Sequence, residues 1–148
     1  KRGVSLQLLY SDEKFSVPEN VYIIGMMNTA DRSLAMLDYA LRRRFAFFEF
    51  SPAFETDGFR QYRQGKDNKK FDSLIATIEK LNTAIENDET LGRGFLIGHS
   101  YFCTDKPIDD MWLNAVVTYE IVPLLNEYWF DEPSKVRDWE YALREAIR

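Results

Sequence analysis

Val21–Met27 is an unbroken apolar run of strand length, and it constrains the fold more than any other segment. A strand that is apolar on both sides must be covered on both faces, as in a parallel sheet sandwiched by helices. The run gives way directly to a polar stretch, Asn28 to Ser33, at what would be the strand's carboxyl end. Open α/β sheets bind ligands at that edge. Leu34, Leu37 and Leu41 then recur at helical spacing, with Ser33 or Asp31 able to cap the start. Arg42, Arg43 and Arg44 close that helix, where cations suit the macrodipole. Phe45 to Phe50 reads as a second strand, apolar on both sides and ended by Ser51 and Pro52. Strand, polar loop, helix and strand make a βαβ crossover. Upstream, Val4 to Tyr10 and Phe15 to Val17 read as a strand and its return across a turn.

After Pro52 the pattern becomes helical. Phe71, Leu74, Ile75, Ile78, Leu81 and Ile85 form one apolar stripe. Gly92, Gly94 and Gly98 break the chain. Ile108, Met111, Trp112, Ala115, Val116 and Tyr119 form a second stripe, and Pro123 should kink or restart that helix. Leu124, Leu125 and Tyr128 continue the packing, and Pro133 opens a last helix with Val136, Trp139, Leu143 and Ile147 inward. The expected fold is therefore α/β plus all-α. Residues 1–52 would be the end of an α/β domain and residues 53–148 a small helical domain, hinged between Ser51 and Asp57.

Charge and composition exclude several classes. Residues 1–50 carry 7 basic and 6 acidic side chains, whereas residues 51–148 carry 12 and 18. An acidic second half argues against direct DNA binding by that half, since nucleic-acid modules show a basic excess on one face. One cysteine, Cys103, and one histidine, His99, exclude an internal disulfide and a four-ligand zinc site of His and Cys. A lone thiol, expected to be buried, fits a reducing cytoplasm. No apolar run approaches the ~20 residues of a membrane span.

Met27-Asn28-Thr29-Ala30-Asp31-Arg32-Ser33, followed by Leu41-Arg42-Arg43-Arg44-Phe45, closely resembles the McrB-type GTPase subunits of 5-methylcytosine-specific, modification-dependent restriction systems. Gly98 to Phe102 and Pro123 to Tyr128 match the lid of that family. The resemblance covers essentially the whole chain. It implies the C-terminal part of an AAA+ P-loop NTPase core and its lid, from a longer motor subunit.

That resemblance assigns roles to individual residues, each of which also has a structural reading. Asn28 stands where such motors place the first sensor, a neutral amide that holds a γ-phosphate oxygen and the attacking water. It is equally the type of residue that caps a helix. Arg32 would face the γ-phosphate or the adjacent subunit, with Asp31 holding Arg32 or Arg43. The alternative is a salt bridge that orders the loop. An arginine finger reaching a neighbour's nucleotide is expected among Arg42 to Arg44, with Arg43 and Arg44 favoured. A triple arginine also reads as a solvated helix end or a DNA-facing patch. His99 and Ser100 lie where related motors carry a second sensor arginine. None stands here, so His99 is either a nucleotide or base contact or a satisfied lid histidine.

A phosphate-cradling loop needs Gly-x-x-x-x-Gly-Lys-[Ser/Thr]. The nearest string, Gly58 to Gly65-Lys66-Asp67, has six intervening residues and ends in Asp. Asp67-Asn68-Lys69 has a nuclease-like Asp-x-Lys spacing but reads as a turn. These residues alone are therefore expected neither to bind nor to hydrolyse nucleotide. GTP or ATP with Mg²⁺ belongs to the full-length parent. The resemblance further implies identical subunits in a ring, a partner endonuclease, and modified DNA read by an N-terminal domain. A non-catalytic helical interaction module is the alternative.

Overall fold

A computed structural model describes residues 3–27 and 43–148. The chain opens on a short antiparallel hairpin, β1 (Leu6–Gln7) and β2 (Lys14–Phe15), with Leu6 opposite Phe15 and Gln7 opposite Lys14. The expected strand and return are thus present, but only two residues long each. Leu8 N–H donates to Glu13 O at 2.9 Å, and the turn passes through Asp12 at φ 52°. Aspartate tolerates that left-handed conformation better than most side chains.

The two apolar strands expected at 21–27 and 45–50 do not form a sheet among the described residues. Neither segment belongs to a strand ladder among the described residues, and Ile24 and Phe50 are about nine-tenths exposed. A strand that is apolar on both faces has no stable state of its own. Its burial comes from neighbours on both edges and from helices above and below, and no described element covers these two. The expected helix over Leu34 to Leu41 lies outside the described residues.

The packed body begins at Phe54. Helix α1 (Asp57–Lys66) starts where the Thr56 hydroxyl accepts from Phe59 N–H at 3.3 Å, and it ends at Asp67 in the left-handed conformation. Gly58 and Gly65 both lie inside this helix, so the string that approximates a phosphate loop is helical. Asn68 then caps α2 (Lys69–Glu86). Its Oδ1 accepts from Lys70 and Phe71 N–H, and its Nδ2 donates to Ile108 O at 2.8 Å. The turn expected at 67–69 is this junction. Every member of the predicted stripe on α2, from Phe71 to Ile85, is fully buried.

Gly92, at φ 83°, turns the chain out of α2 and donates to Ile85 O at 3.1 Å. Two 3₁₀ turns follow, Arg93–Phe95 and His99–Phe102. Asp109 caps α3 (Asp110–Ala115), which widens into a π-helical segment, Val116–Ile121, and continues as α4 (Val122–Tyr128). Within the widened turn Val122 N–H reaches back five residues to Val117 O. Pro123, which has no N–H to give, sits just beyond it.

The π segment corrects the expected second stripe. The inward positions are Leu113, Val117, Ile121 and Leu125, a strict spacing of four, with Val116 beside them. Met111 and Tyr119, expected inside, are 79% and 76% exposed. In a pure α-helix a four-residue period drifts round the helix. A wider turn holds more residues per revolution and keeps that period on one face. Helix α5 (Pro133–Ala146) buries Val136 and Leu143, with Ile147 just past its end and Trp139 half-buried, as its spacing predicts. It packs along α2 and α4, closing a core around Trp129.

Candidate functional site

Ala53, immediately before the packed body, is tied to it from afar. Its N–H donates to His99 Nδ1 at 3.1 Å, across 46 positions of sequence. The Ala53 carbonyl accepts from the Thr56 hydroxyl at 2.7 Å and from Thr56 N–H at 3.2 Å. Both polar groups of the Ala53 peptide are therefore satisfied. His99 sits on the second 3₁₀ turn, with its ring edge-on to Phe54 and Phe59 at 6.3 and 5.9 Å between centroids. Phe54 in turn packs edge-on to Phe59 at 5.2 Å. A nitrogen that accepts from an amide carries no proton, so this imidazole is neutral with its proton on Nε2.

His99 also lines a shallow cleft of about 330 Å³ with Thr56, Gly58, Phe59, Tyr62 and Cys103. Helix α1 supplies one wall and the loop after the His99 turn supplies the other. The Tyr62 hydroxyl accepts from Thr104 N–H at 2.8 Å and faces the carbonyls of Phe102 and Thr104. Lys66 Nζ donates to Thr104 O at 2.6 Å and to Lys106 O at 3.3 Å. These bonds pin the loop that carries Cys103. Cys103 is exposed; its partial burial pushes the thiol up, opposed in part by the Lys66 charge. The cleft offers aromatic walls and an imidazole N–H, which suit a planar ring with an acceptor. It holds no paired acid and base. No group of three His, Cys, Asp or Glu among the described residues is placed to hold a metal ion.

A second, larger depression of about 520 Å³ is lined by Arg60, Arg63, Gln64, Asp67 and Asp72. Arg63 is paired with Asp72, and Arg60 with Glu55 and Asp57, so its cations are already neutralised.

The most perturbed carboxylate is Asp88, just after α2. Its side chain is 6% exposed. Oδ2 accepts from Lys135 Nζ at 2.6 Å and Trp129 Nε1 at 2.9 Å, and Oδ1 from the Thr90 hydroxyl and N–H at 2.6 and 2.8 Å. The Lys135 and Thr90 bonds hold it well below the usual carboxylate range, against burial. Burial pulls the Lys135 ammonium down, but the bond and charge of Asp88 outweigh this and hold it above its ordinary value. Lys135 Nζ also lies 4.5 Å from the Trp129 ring centre. A perturbed carboxylate is a functional candidate by default. This one is saturated with donors from three elements, which makes it a structural joint.

Of the residues singled out by sequence, Arg43 and Arg44 stand exposed in a turn ahead of the extended 46–50 run. Asn28, Asp31 and Arg32 lie outside the described residues, as does Arg42. Ser100 is exposed beside His99. The structure brings His99 to Ala53, Phe59, Tyr62 and Cys103, none of which was singled out by sequence as a partner. The local signal for α1 was available in Thr56, Asp57 and Lys66, a cap, a first-turn acid and a last-turn base.

Comparison with known proteins bears on these features directly. Residues 73–137 match the family model described as McrB, alpha-helical lid domain. The Type IV methyl-directed restriction enzyme EcoKMcrB subunit of Escherichia coli (strain K12) is 50% identical over 97% of this chain. The chain spans about a third of that relative's length, 34%.

Proposed function

This chain belongs to the McrB family, and from that premise we propose that it supplies the first sensor, arginine finger and lid of an AAA+ GTPase motor subunit in a modification-dependent restriction endonuclease. In this reading GTP hydrolysis drives DNA translocation and cleavage by a partner nuclease. The observation that carries it is the 50% identity to a restriction-enzyme subunit, which extends over 97% of the chain and so includes the Asn28 to Ser33 signature as well as the lid. The α/β core would end at residue 52 and the lid begin at residue 53.

Asn28 orients the water that attacks the γ-phosphorus. Asp31 holds Arg32 or Arg43. Arg43 or Arg44 reaches the nucleotide of the adjacent identical subunit and offsets charge developing on the transferred phosphoryl group. Exposure of both side chains suits a residue that acts across an interface. His99 and Ser100 face the nucleotide from the lid. Because Ala53 occupies Nδ1, His99 has only Nε2–H to offer. The nucleotide is GTP or ATP with Mg²⁺, its phosphate loop and metal ligands lying upstream. Modified DNA is read by a further domain, and the assembly works in the cytoplasm. None of the described helices is long and apolar enough to cross a membrane.

The test uses the full-length protein. Asn28→Ala leaves nucleotide binding intact and greatly reduces turnover, and unchanged turnover removes the sensor assignment. Alanine at the finger position lowers turnover by about 10³-fold. Mixing with a finger-intact, hydrolysis-dead subunit restores part of it, and failure in every mixture removes the finger. A second reading, a helical interaction module without catalytic part, draws on the closed core between Phe54 and Ile147. It requires the Asn28 and finger variants alike to hydrolyse nucleotide like the parent.

A further inference from the structure

We infer that His99 is a positioning residue, a clasp that fixes the direction in which the extended 46–52 segment enters the helical body. Pro52 has no N–H, so Ala53 N–H is the first donor after it, and that donor goes to His99 Nδ1. The acceptor comes from a different part of the body, the 3₁₀ turn after α2, and not from the α1 cap that follows Ala53. The His99 ring itself packs edge-on against both Phe54 and Phe59. Its position is set by the core and passed to the backbone of residue 53. One residue later Phe54 is buried, whereas Phe48 and Phe50 before it are exposed. The bond therefore sits at the point where the chain passes from exposed to packed.

Two consequences follow from the chemistry of the acceptor. Only the neutral ring with its proton on Nε2 can hold Ala53. An asparagine at the same position presents its amide oxygen close to where Nδ1 lies, while phenylalanine keeps a ring against Phe54 and Phe59 but offers no acceptor. The pair His99→Asn and His99→Phe therefore separates the bond from the packing.

The experiment is hydrogen–deuterium exchange on the full-length protein, reading peptides over 50–56 and, as an internal reference, peptides over α2. His99→Phe is expected to speed exchange at 50–56 by about 2- to 10-fold, the loss of one amide–imidazole bond, with α2 unchanged. His99→Asn is expected to restore most of the protection. Equal protection in wild type and His99→Phe, or no restoration by Asn, overturns the clasp. If His99→Phe also exposes α2, His99→Asn decides alone: protection at 50–56 supports the clasp and its loss overturns it. A second arm rests on the hydrolysis reading above. There His99→Phe lowers kcat and His99→Asn restores most of it, because segment direction follows the bond to Ala53; both variants lack the ring Nε2–H and share any rise in KM from a lost nucleotide contact. A kcat in His99→Phe equal to wild type, or one that Asn does not restore, overturns the clasp's role in turnover. A wild type that does not hydrolyse nucleotide defeats that reading and leaves the exchange result standing.

Discussion

Replacing Asp88 by Asn removes one charge and almost no volume, yet the structure makes it one of the costliest changes in the helical body. The four donors are split evenly, two on Oδ1 from Thr90 and two on Oδ2 from Trp129 and Lys135. An asparagine has one oxygen and one NH₂ group, so either orientation sets the NH₂ against two donors. Two hydrogen bonds are lost at about 1 kcal/mol each. With the oxygen kept on Thr90, the indole N–H of Trp129 is stranded, and Trp129 is only 1% exposed. A stranded buried donor costs about 1–3 kcal/mol. Lys135 is 32% exposed and also lies 3.4 Å from Glu132, so its charge keeps water and a partner. The full penalty of an orphaned buried ion therefore does not apply. The expected loss at pH 7 is about 3 kcal/mol, a large share of the ~5–15 kcal/mol that hold a domain together.

The pH dependence follows from the direction of the shift. Asp88 is held below its ordinary value when folded, so below that value the unfolded chain binds the extra proton. Its contribution is complete above the ordinary carboxylate range and falls by up to ~1.4 kcal/mol per pH unit below about pH 4. Urea unfolding followed by far-ultraviolet circular dichroism should show a gap of about 3 kcal/mol between wild type and Asp88→Asn at pH 7, narrowing to about 1 kcal/mol at pH 2.5. A gap under 1 kcal/mol at pH 7, or one that stays constant down to pH 2.5, refutes the reasoning.

Asn82, on α2, donates to Ile97 O at 2.9 Å and accepts from Ile97 N–H at 2.7 Å, and it is 8% exposed. Asn82→Leu orphans both backbone groups and is expected to cost about 2–4 kcal/mol in urea unfolding, with Ile97 amide exchange accelerated. Asn68→Ala removes the α2 cap and the bond to Ile108 O, for an expected loss of about 1–2 kcal/mol. A loss within 0.5 kcal/mol of zero, read with the ~1 kcal/mol typical of such caps, would falsify that accounting.

Local order was legible in the residues themselves. The stripe of α2, the inward face of α5, and the breaks at Gly92 and the 67–69 junction follow from spacing and turn chemistry. The signature from Met27 to Ser33 and the lid strings carried the family. These signals act over a few residues, so no knowledge of distant partners is needed to read them.

What depends on partners far along the chain was decided only by tertiary packing. Met111 and Tyr119 face outward because the core selected the Leu113, Val117, Ile121 and Leu125 face, a four-residue period that the π segment helps to keep in line. Asp88 found Trp129 and Lys135, and His99 found Ala53, across 41, 47 and 46 positions. Nothing in the spacing of those residues encodes such pairings. The apolar runs at 21–27 and 45–50 specify what a strand needs but not what covers it, and among the described residues nothing does. Burial is a property of neighbours, which the sequence of a segment demands without supplying.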